Sequence, residues 1–259
     1  MKLTIVGCSG SYAGPHSAAS SYLVESADVE GRLWRLVLDM GNGALGPLQL
    51  YADPLELDAI FLSHLHSDHC MDVCGLYVVR KFHPAGPAPR IPVYGPEDSA
   101  ARMARAYDLP PDVGMTGEFK FIEYDEVSAA GGFPIQVGPF ACYAVEVAHP
   151  VPGYAIRLEA DGRVLVYSGD TGPCDALVEI ADGADLFLCE ASNLEVGDNP
   201  PNLHLTGREA AEHATKAGAK RLVLTHIPPW YDAQQVLAEA APHFQGETVL
   251  AEPGQTFTV

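Results

Sequence analysis

Apolar residues along the chain recur in short, often β-branched runs, each closed by glycine, proline or a small polar residue. This pattern predicts strands over Leu3–Val6, Ser21–Val24, Leu36–Leu38, Ala59–Leu62, Ile91–Tyr94, Phe119–Tyr124, Cys142–Val147, Tyr154–Leu158, Val164–Tyr167, Leu186–Leu188 and Leu222–Leu224. Helical periodicity lies between them and predicts helices over Asp72–Phe82, Glu97–Tyr107, Cys174–Ala181, Gly207–Ala217 and Ala233–Ala241. Thr206 is placed as an N-cap and Gly218 as a C′ stop for the Gly207–Ala217 helix. The runs Tyr154–Glu159 and Arg163–Ser168 flank Ala160-Asp161-Gly162, a hairpin signature that requires antiparallel pairing. Strands and helices alternate, but not as regular βαβ units, so the class is α/β (α+β) with mixed sheets.

The 259 residues are 47% hydrophobic and 19% charged, enough apolar side chain for a packed core, and 1–259 reads as one domain. No apolar run approaches the roughly 20 residues of a membrane span. Met1-Lys2-Leu3-Thr4-Ile5-Val6-Gly7 passes straight into Gly and Ser without the apolar helix of a signal peptide, so a cytoplasmic protein is expected. The 6 cysteines form no C-x-x-C pair and read as buried free thiols. Against 34 Asp plus Glu stand only 15 Lys plus Arg, a net charge of −19 that disfavours extended contact with nucleic acid. The Pro-rich segments 83–89 and 110–114 read as stiff surface loops. The first, preceded by Tyr77, Arg80, Lys81 and His83, is expected either to connect elements or to overhang a site.

The most informative stretch is Ile60-Phe61-Leu62-Ser63-His64-Leu65-His66-Ser67-Asp68-His69, an apolar strand ending in H-x-H-x-D-H. Extended residues two apart share a face, so His64 and His66 can converge on one metal ion. Asp68 and His69 follow where the chain turns toward the next helix, aimed at a second ion beside the first. Further ligands are expected from other strand ends: His149 after Cys142–Val147, Asp170 after Val164–Tyr167, and His226 after Leu222–Leu224. His16, His83, His213 and His243 read as solvated or capping residues. Gly7-Cys8-Ser9-Gly10-Ser11 lacks the lysine of a phosphate-cradling loop and reads as a turn under the site. Trp230 and Tyr231, close to His226, are candidates for stacking on a base or for packing in the core.

These residues resemble the metallo-β-lactamase fold hydrolases, from Gly7–Ser11 through Asp39-Met40-Gly41 to His226. Cys189-Glu190-Ala191-Ser192, His204-Leu205-Thr206 and Leu222-Val223-Leu224-Thr225-His226 are most similar to the phosphodiesterase branch that includes RNase Z. Thr225-His226-Ile227-Pro228-Pro229-Trp230 resembles a group of actinobacterial proteins associated with cAMP phosphodiesterase activity. The resemblance implies a four-layer αββα sandwich with two mixed sheets. It implies two divalent ions, Zn2+ first with Mn2+ or Fe as alternatives. One ion would be held by His64, His66 and His149, the other by Asp68, His69 and His226, with Asp170 bridging. It assigns His204 as the acid for the leaving group and Glu190 as its partner. Asp68 doubles as ligand and proton acceptor, and Asp39 braces the motif or serves as a turn residue.

In the RNase Z relatives a basic arm lies between the positions matched by His149 and Asp170, whereas here the interval 150–169 holds only a hairpin. Arg80, Lys81 and Arg90 are the basic group expected nearest the cleft. A small phosphodiester such as a cyclic nucleotide is therefore the expected substrate. A tRNA 3′-processing endoribonuclease, a lactonase or other metallo-hydrolase of the fold, and a metal-stabilised scaffold stand as alternatives. Neither nucleic acid nor membrane is expected as a partner, and the resemblance leaves a homodimer open.

Overall fold

The computed structural model describes residues 1–125, 134–196 and 198–259. Strands β1 (Lys2–Ser9), β2 (Ala18–Ala19), β3 (Ser21–Ala27), β4 (Leu33–Leu38), β5 (Ala59–Phe61), β6 (Ile91–Gly95), β7 (Phe119–Glu123) and β15 (Thr256–Thr258) form one sheet. Its order is β15-β1-β3-β4-β5-β6-β7, with β2 beside β1. Strands β8 (Ile135–Val137), β9 (Phe140–Glu146), β10 (Tyr154–Ala160), β11 (Arg163–Tyr167), β12 (Leu186–Glu190), β13 (Arg221–Thr225) and β14 (Glu247–Leu250) form the second sheet in reverse sequence order. Both sheets are mixed: β4 to β7 and β11 to β14 are parallel, while β1, β3 and β4 and β9 to β11 pair antiparallel.

The central strands are apolar on both faces because each face meets a different core. Ala59 and Phe61 join the cluster between the sheets, with Leu38, Ile156, Leu188 and Val223, whereas Ile60 points to the other side. There it meets Leu76 of α3 (Val73–Phe82) and Met103 of α4 (Ser99–Ala106). In β13, Val223 faces the inter-sheet cluster, while Leu222 and Leu224 face the helices α5 (Asp175–Ile180), α6 (Gly207–Lys216) and α7 (Ala233–Ala240). The layers are thus helix, sheet, sheet and helix, as expected. Truncating a side chain as enclosed as Phe61 in such a core costs about 3–5 kcal/mol.

The predicted hairpin is present with a tighter turn: Ala160 pairs with Arg163, leaving only Asp161 (φ 56°) and Gly162 (φ 68°) in the loop. Asp-Gly supplies the two positive φ angles of a type I′ turn, whose twist matches the strands. Each predicted helix is found within a residue or two, and Thr206 caps α6 through a capping box with Glu209. The elements not predicted are short: β2, β8, β14 and β15, a four-residue helix α1 (Leu45–Leu48), and a one-turn helix α2 (Ser67–Cys70).

One expectation is corrected by the connectivity. Because β5 and β6 are parallel, α3 carries the chain from their carboxyl ends back to their amino ends. Segment 83–89 therefore lies at the edge of the sheet opposite His64–His69 and acts as a connector, not as a wall over the site. Arg80 is fully buried there, donating hydrogen bonds to the carbonyls of Pro54 and Pro89. Arg90 flanks a cleft at the same edge together with Arg32 and Arg35, so this basic group is remote from the H-x-H-x-D-H segment. No helix among the described residues is long and apolar enough to cross a membrane.

Candidate metal centre

Six strands deliver their following residues to one rim. Asp39 follows β4, the segment 64–69 follows β5, His149 follows β9, Asp170 follows β11, Glu190 ends β12, and His226 follows β13. The strand is shorter than expected, since β5 ends at Phe61, but His66 keeps an extended backbone, φ −66° and ψ 153°, as the N-cap of α2. Asp68 and His69 lie in that one-turn helix. Two glycines are required by close approach. A Cβ on Gly10 would lie 2.2 Å from the His226 carbonyl oxygen, and one on Gly41 would lie 2.0 Å from that of Asp68. Asp39 and His226 themselves hold φ values of 58° and 55°, which L residues adopt at a cost of about 1–3 kcal/mol.

The donor atoms form three sets, each within 4.8 Å: His64, His66 and His149; Asp68, His69, Asp170 and His226; and Asp170, Glu190 and His204. In the first, His64 Nε2 lies 2.9 Å from His66 Nδ1, which is 3.4 Å from His149 Nε2. In the second, Asp170 lies 3.2 Å from both His69 Nε2 and His226 Nε2, and Asp68 Oδ2 is 3.4 Å from His69 Nε2. Asp170 Oδ2 is also 3.7 Å from His64 Nε2, so the carboxylate sits between the two sets. All seven predicted ligand residues converge, and so do Glu190 and His204.

The outward nitrogens of these rings are held by the protein. His69 Nδ1 meets Asp39 Oδ2 at 2.7 Å, and the same buried carboxylate accepts from Ser63 N, Ser63 Oγ and Tyr167 OH. His226 Nδ1 meets Ser20 Oγ at 2.8 Å, His149 Nδ1 meets the Leu203 carbonyl at 3.1 Å, and His64 Nδ1 meets Ser63 Oγ at 3.1 Å. Such partners fix each ring's orientation and turn its other nitrogen toward the cluster. Asp39 thereby braces the motif through His69 and Ser63 and is not a simple turn residue. Ser20, Ser63, Tyr167 and Leu203 were not expected, because nothing in their local sequence marks them as partners of distant histidines.

The electrostatics call for a cation. Burial would raise Asp170, but His226, His69 and His64 hold it well below the usual carboxylate range. Burial likewise opposes ionisation of Asp68, yet His69 and His226 hold it at about 2. Burial drives His64, His66 and His149 down, leaving neutral rings. His69 alone is held well above its ordinary value, by Asp170 and Asp39 against its own burial. Its Nε2 and Asp170 Oδ1 are buried without a hydrogen-bond partner, a cost of about 1–3 kcal/mol each that metal coordination removes. The neutral imidazoles of His64, His66 and His149, the ionised carboxylates and the orphaned inward atoms fit divalent metal with N/O ligands.

Beside the cluster, His204 Nδ1 lies 2.9 Å from Glu190 Oε1, and the fully buried Glu190 also accepts from Thr171 N and Ser192 N. Burial opposes the charge on His204, but Glu190 and then Asp170 lift it to about 9. The segment is pinned by Asn193 Nδ2 on the His204 carbonyl and by the Thr206 capping box just beyond. Of the histidines set aside, His16 is exposed, while His213 is buried and ties two helices together: Nδ1 on Glu209 O and Nε2 on Cys174 N. It caps a helix and is not solvated.

Residues 35–227 match the model of the Beta-lactamase superfamily domain. An uncharacterised protein of Mycobacterium leprae is 44% identical across all of this chain and 89% of its own length. The probable metallo-hydrolase YhfI of Bacillus subtilis is 29% identical over 98% of both chains, and its crystal structure superposes with a TM-score of 0.84 over 99% of both. Ribonuclease Z of Myxococcus xanthus is 28% identical, covering 99% of this chain and 97% of its own. That alignment runs over 311 positions against 259 residues here, so the ribonuclease carries insertions that this chain lacks. With the matched domain spanning both halves of the metal cluster, the chain belongs to the β-lactamase superfamily.

Proposed function

We propose that this protein is a dinuclear-metal phosphodiesterase of the metallo-hydrolase type that hydrolyses a small phosphodiester, a cyclic nucleotide such as cAMP. The observation that carries the reading is the Glu190–His204 pair at 2.9 Å, with His204 Nδ1 3.9 Å from Asp170 and neither residue in the two donor sets that contain the predicted ligands. Hydrolysis of an ester or lactam at such a centre needs no separate acid of this kind. Expulsion of an unactivated alkoxide from phosphorus does.

His64, His66 and His149 would hold one ion, and Asp68, His69 and His226 the other, with Asp170 between them. Two divalent ions so held, zinc by ligand type, would supply an activated water at neutral pH and would neutralise charge on the phosphoryl oxygens. Glu190, fixed by two backbone amides, keeps a proton on His204 Nδ1 and stabilises the imidazolium. His204 Nε2 donates its proton to the leaving oxygen and is left neutral, to be recharged from solvent. Asp68, as an ionised carboxylate beside His69, would be the acceptor for a proton released at the centre.

The small-substrate reading is supported by the net charge of −19, the tight β10–β11 hairpin between His149 and Asp170, and the remoteness of Arg80 and Arg90. A structured RNA would need several phosphates neutralised near the site, which makes the endoribonuclease reading the weaker one. The test is release of 5′-AMP from 3′,5′-cyclic AMP by zinc- or manganese-loaded protein, against an EDTA-treated control. Metal-dependent release is expected. Turnover of pre-tRNA or of a lactone with none of cyclic AMP would overturn the reading.

A further inference from the structure

We propose that Tyr12 and Trp230 form a stacking platform at the mouth of the metal centre that binds the nucleobase of the substrate. The proposal rests on the phosphodiesterase reading and deepens it. Among the described residues these two aromatics form an exposed pair: Tyr12 is 43% and Trp230 59% exposed, with ring centroids 5.3 Å apart and planes 30° from parallel. Burying aromatic surface stabilises a fold, so a Trp left this exposed contributes little to the stability of the chain alone.

The placement follows from chain register. Ser9 and Ile227 make a parallel bridge, and Gly10 N donates to the Ile227 carbonyl at 3.1 Å. Both segments turn just past the bridge, Tyr12 N donating to the Gly10 carbonyl and Tyr231 N to the Pro228 carbonyl, and the two turns set the Tyr12 and Trp230 rings 5.3 Å apart. The same two segments line the metal cluster: His226 precedes Ile227 with its Nε2 3.2 Å from Asp170, and Ser11 N is 3.4 Å from that nitrogen. Ser11 and Tyr12 are adjacent residues, so the platform begins one Cα–Cα step, about 3.8 Å, from a group touching the cluster. Pro228 and Pro229 fix the backbone between His226 and Trp230 and limit the ordering cost of binding.

Tyr231 meets the Trp230 ring edge to face, with centroids 6.0 Å apart, and is itself part-buried. It packs against the helical core and lines a cavity of about 270 Å³ behind the His226 loop, with Cys8, Pro15, Ile227 and Pro229. Adjacent aromatics are therefore divided between core and solvent, and only Trp230 is free to meet a ligand. At 5.3 Å and 30° the two rings stack on each other and leave no slot for a base between them, so a base would stack on the outer face of Trp230, with Tyr12 backing it. A base stacked there would be recognised by its π-face without positive charge, which suits an acidic chain whose arginine cluster lies at the opposite edge.

The experiment compares kcat/KM for 3′,5′-cyclic AMP and for the abasic 3′,5′-cyclic ribose phosphate in wild type, Trp230→Ala, Trp230→Phe and Tyr12→Ala. Stacking of one base is worth roughly a factor of ten or more. The preference for the adenine-bearing substrate should fall about tenfold in Trp230→Ala, through KM, less in Tyr12→Ala, and be largely restored in Trp230→Phe. An equal loss on both substrates, or an unchanged preference, overturns the platform. If wild type turns over neither compound, the phosphodiesterase reading fails and the platform is read by binding alone. Quenching of tryptophan fluorescence by AMP but not by ribose 5-phosphate, abolished in Trp230→Phe, supports it. No such quenching overturns it, and the remaining Trp34 supplies the blank.

Discussion

Glu190→Gln tests how the proton on His204 is held. In the wild type, burial disfavours the imidazolium, and Glu190 at 2.9 Å more than reverses this, lifting His204 to about 9. The rise from an ordinary 6.5 to about 9 is worth about 3 kcal/mol of pairing between charged His204 and the protein. Glutamine keeps the shape and removes the charge, so burial then dominates and His204 should titrate at or below about 6.5. The raised value fixes the sign. Stabilisation by the pair is fully present below pH 6.5 and is lost as pH rises through about 9. The variant forfeits that stabilisation, and its amide nitrogen faces one of two backbone donors, Thr171 N or Ser192 N. The direct assay is the titration of the His204 Cε1 proton by NMR in metal-free protein. At pH 8 a group titrating at about 9 is about 90% protonated and one at about 6.5 only about 3%, so a proton-dependent step slows about 30-fold. Bound cations will move both values down together, so in the loaded enzyme the assay is the displacement of the basic limb of kcat/KM toward lower pH. Titration of wild-type His204 near 6.5, or no displacement in the variant, would refute the reasoning.

Four further outcomes follow from the same geometry. His204→Ala should retain both ions by elemental analysis, because no ligand is removed, and lose about 10²-fold or more in turnover of an alkyl phosphodiester while sparing a p-nitrophenyl leaving group; equal losses on both would argue against an acid. Asp170→Ala should lose both ions, since its carboxylate lies within 3.7 Å of His64, His69 and His226; full occupancy would count against bridging. Zinc added to metal-free protein in weak buffer at pH 7 should release protons, because His69, held protonated by Asp170 and Asp39, must give up the one on Nε2; a null pH-stat trace would contradict this. Gly10→Ala should lower Tm and metal affinity together, as its Cβ would lie 2.2 Å from the His226 carbonyl oxygen, whereas Gly31→Ala, with open space but φ 85°, should cost only about 1 kcal/mol and leave metal affinity intact.

What was legible in the chain and what was not divides along a physical line. Strands buried on both faces announce themselves, because Ala59-Ile60-Phe61 or Leu222-Val223-Leu224 must satisfy two cores at once and so carry no polar residue. Edge strands such as Thr256–Thr258 need only one buried side chain, Phe257, and leave almost no pattern. The cluster of candidate ligands was legible for a similar reason. Metal donors are drawn from His and Asp, and H-x-H-x-D-H compresses four of them into one strand-to-helix turn. The groups that hold those donors carry no such mark. Ser20, between β2 and β3 of the first sheet, is fixed to His226 at the end of β13 in the second, and the Leu203 carbonyl meets His149 from a loop, so neither partner is marked by its residue type. The basic group was misplaced for a reason that connectivity alone exposes: α3 runs antiparallel to β5, so Arg80 is close to His69 in sequence and at the opposite edge of the sheet in space. With that group removed from the rim, the attraction available to a substrate beyond the proposed metals and the His204 imidazolium comes from uncharged surface. An acidic hydrolase of this geometry should therefore bind its substrate with a weak salt dependence. Raising ionic strength tenfold should change KM for cyclic AMP by less than about threefold, where a protein gripping six or more phosphates would lose orders of magnitude; a steep salt dependence would return the argument to a polyanion.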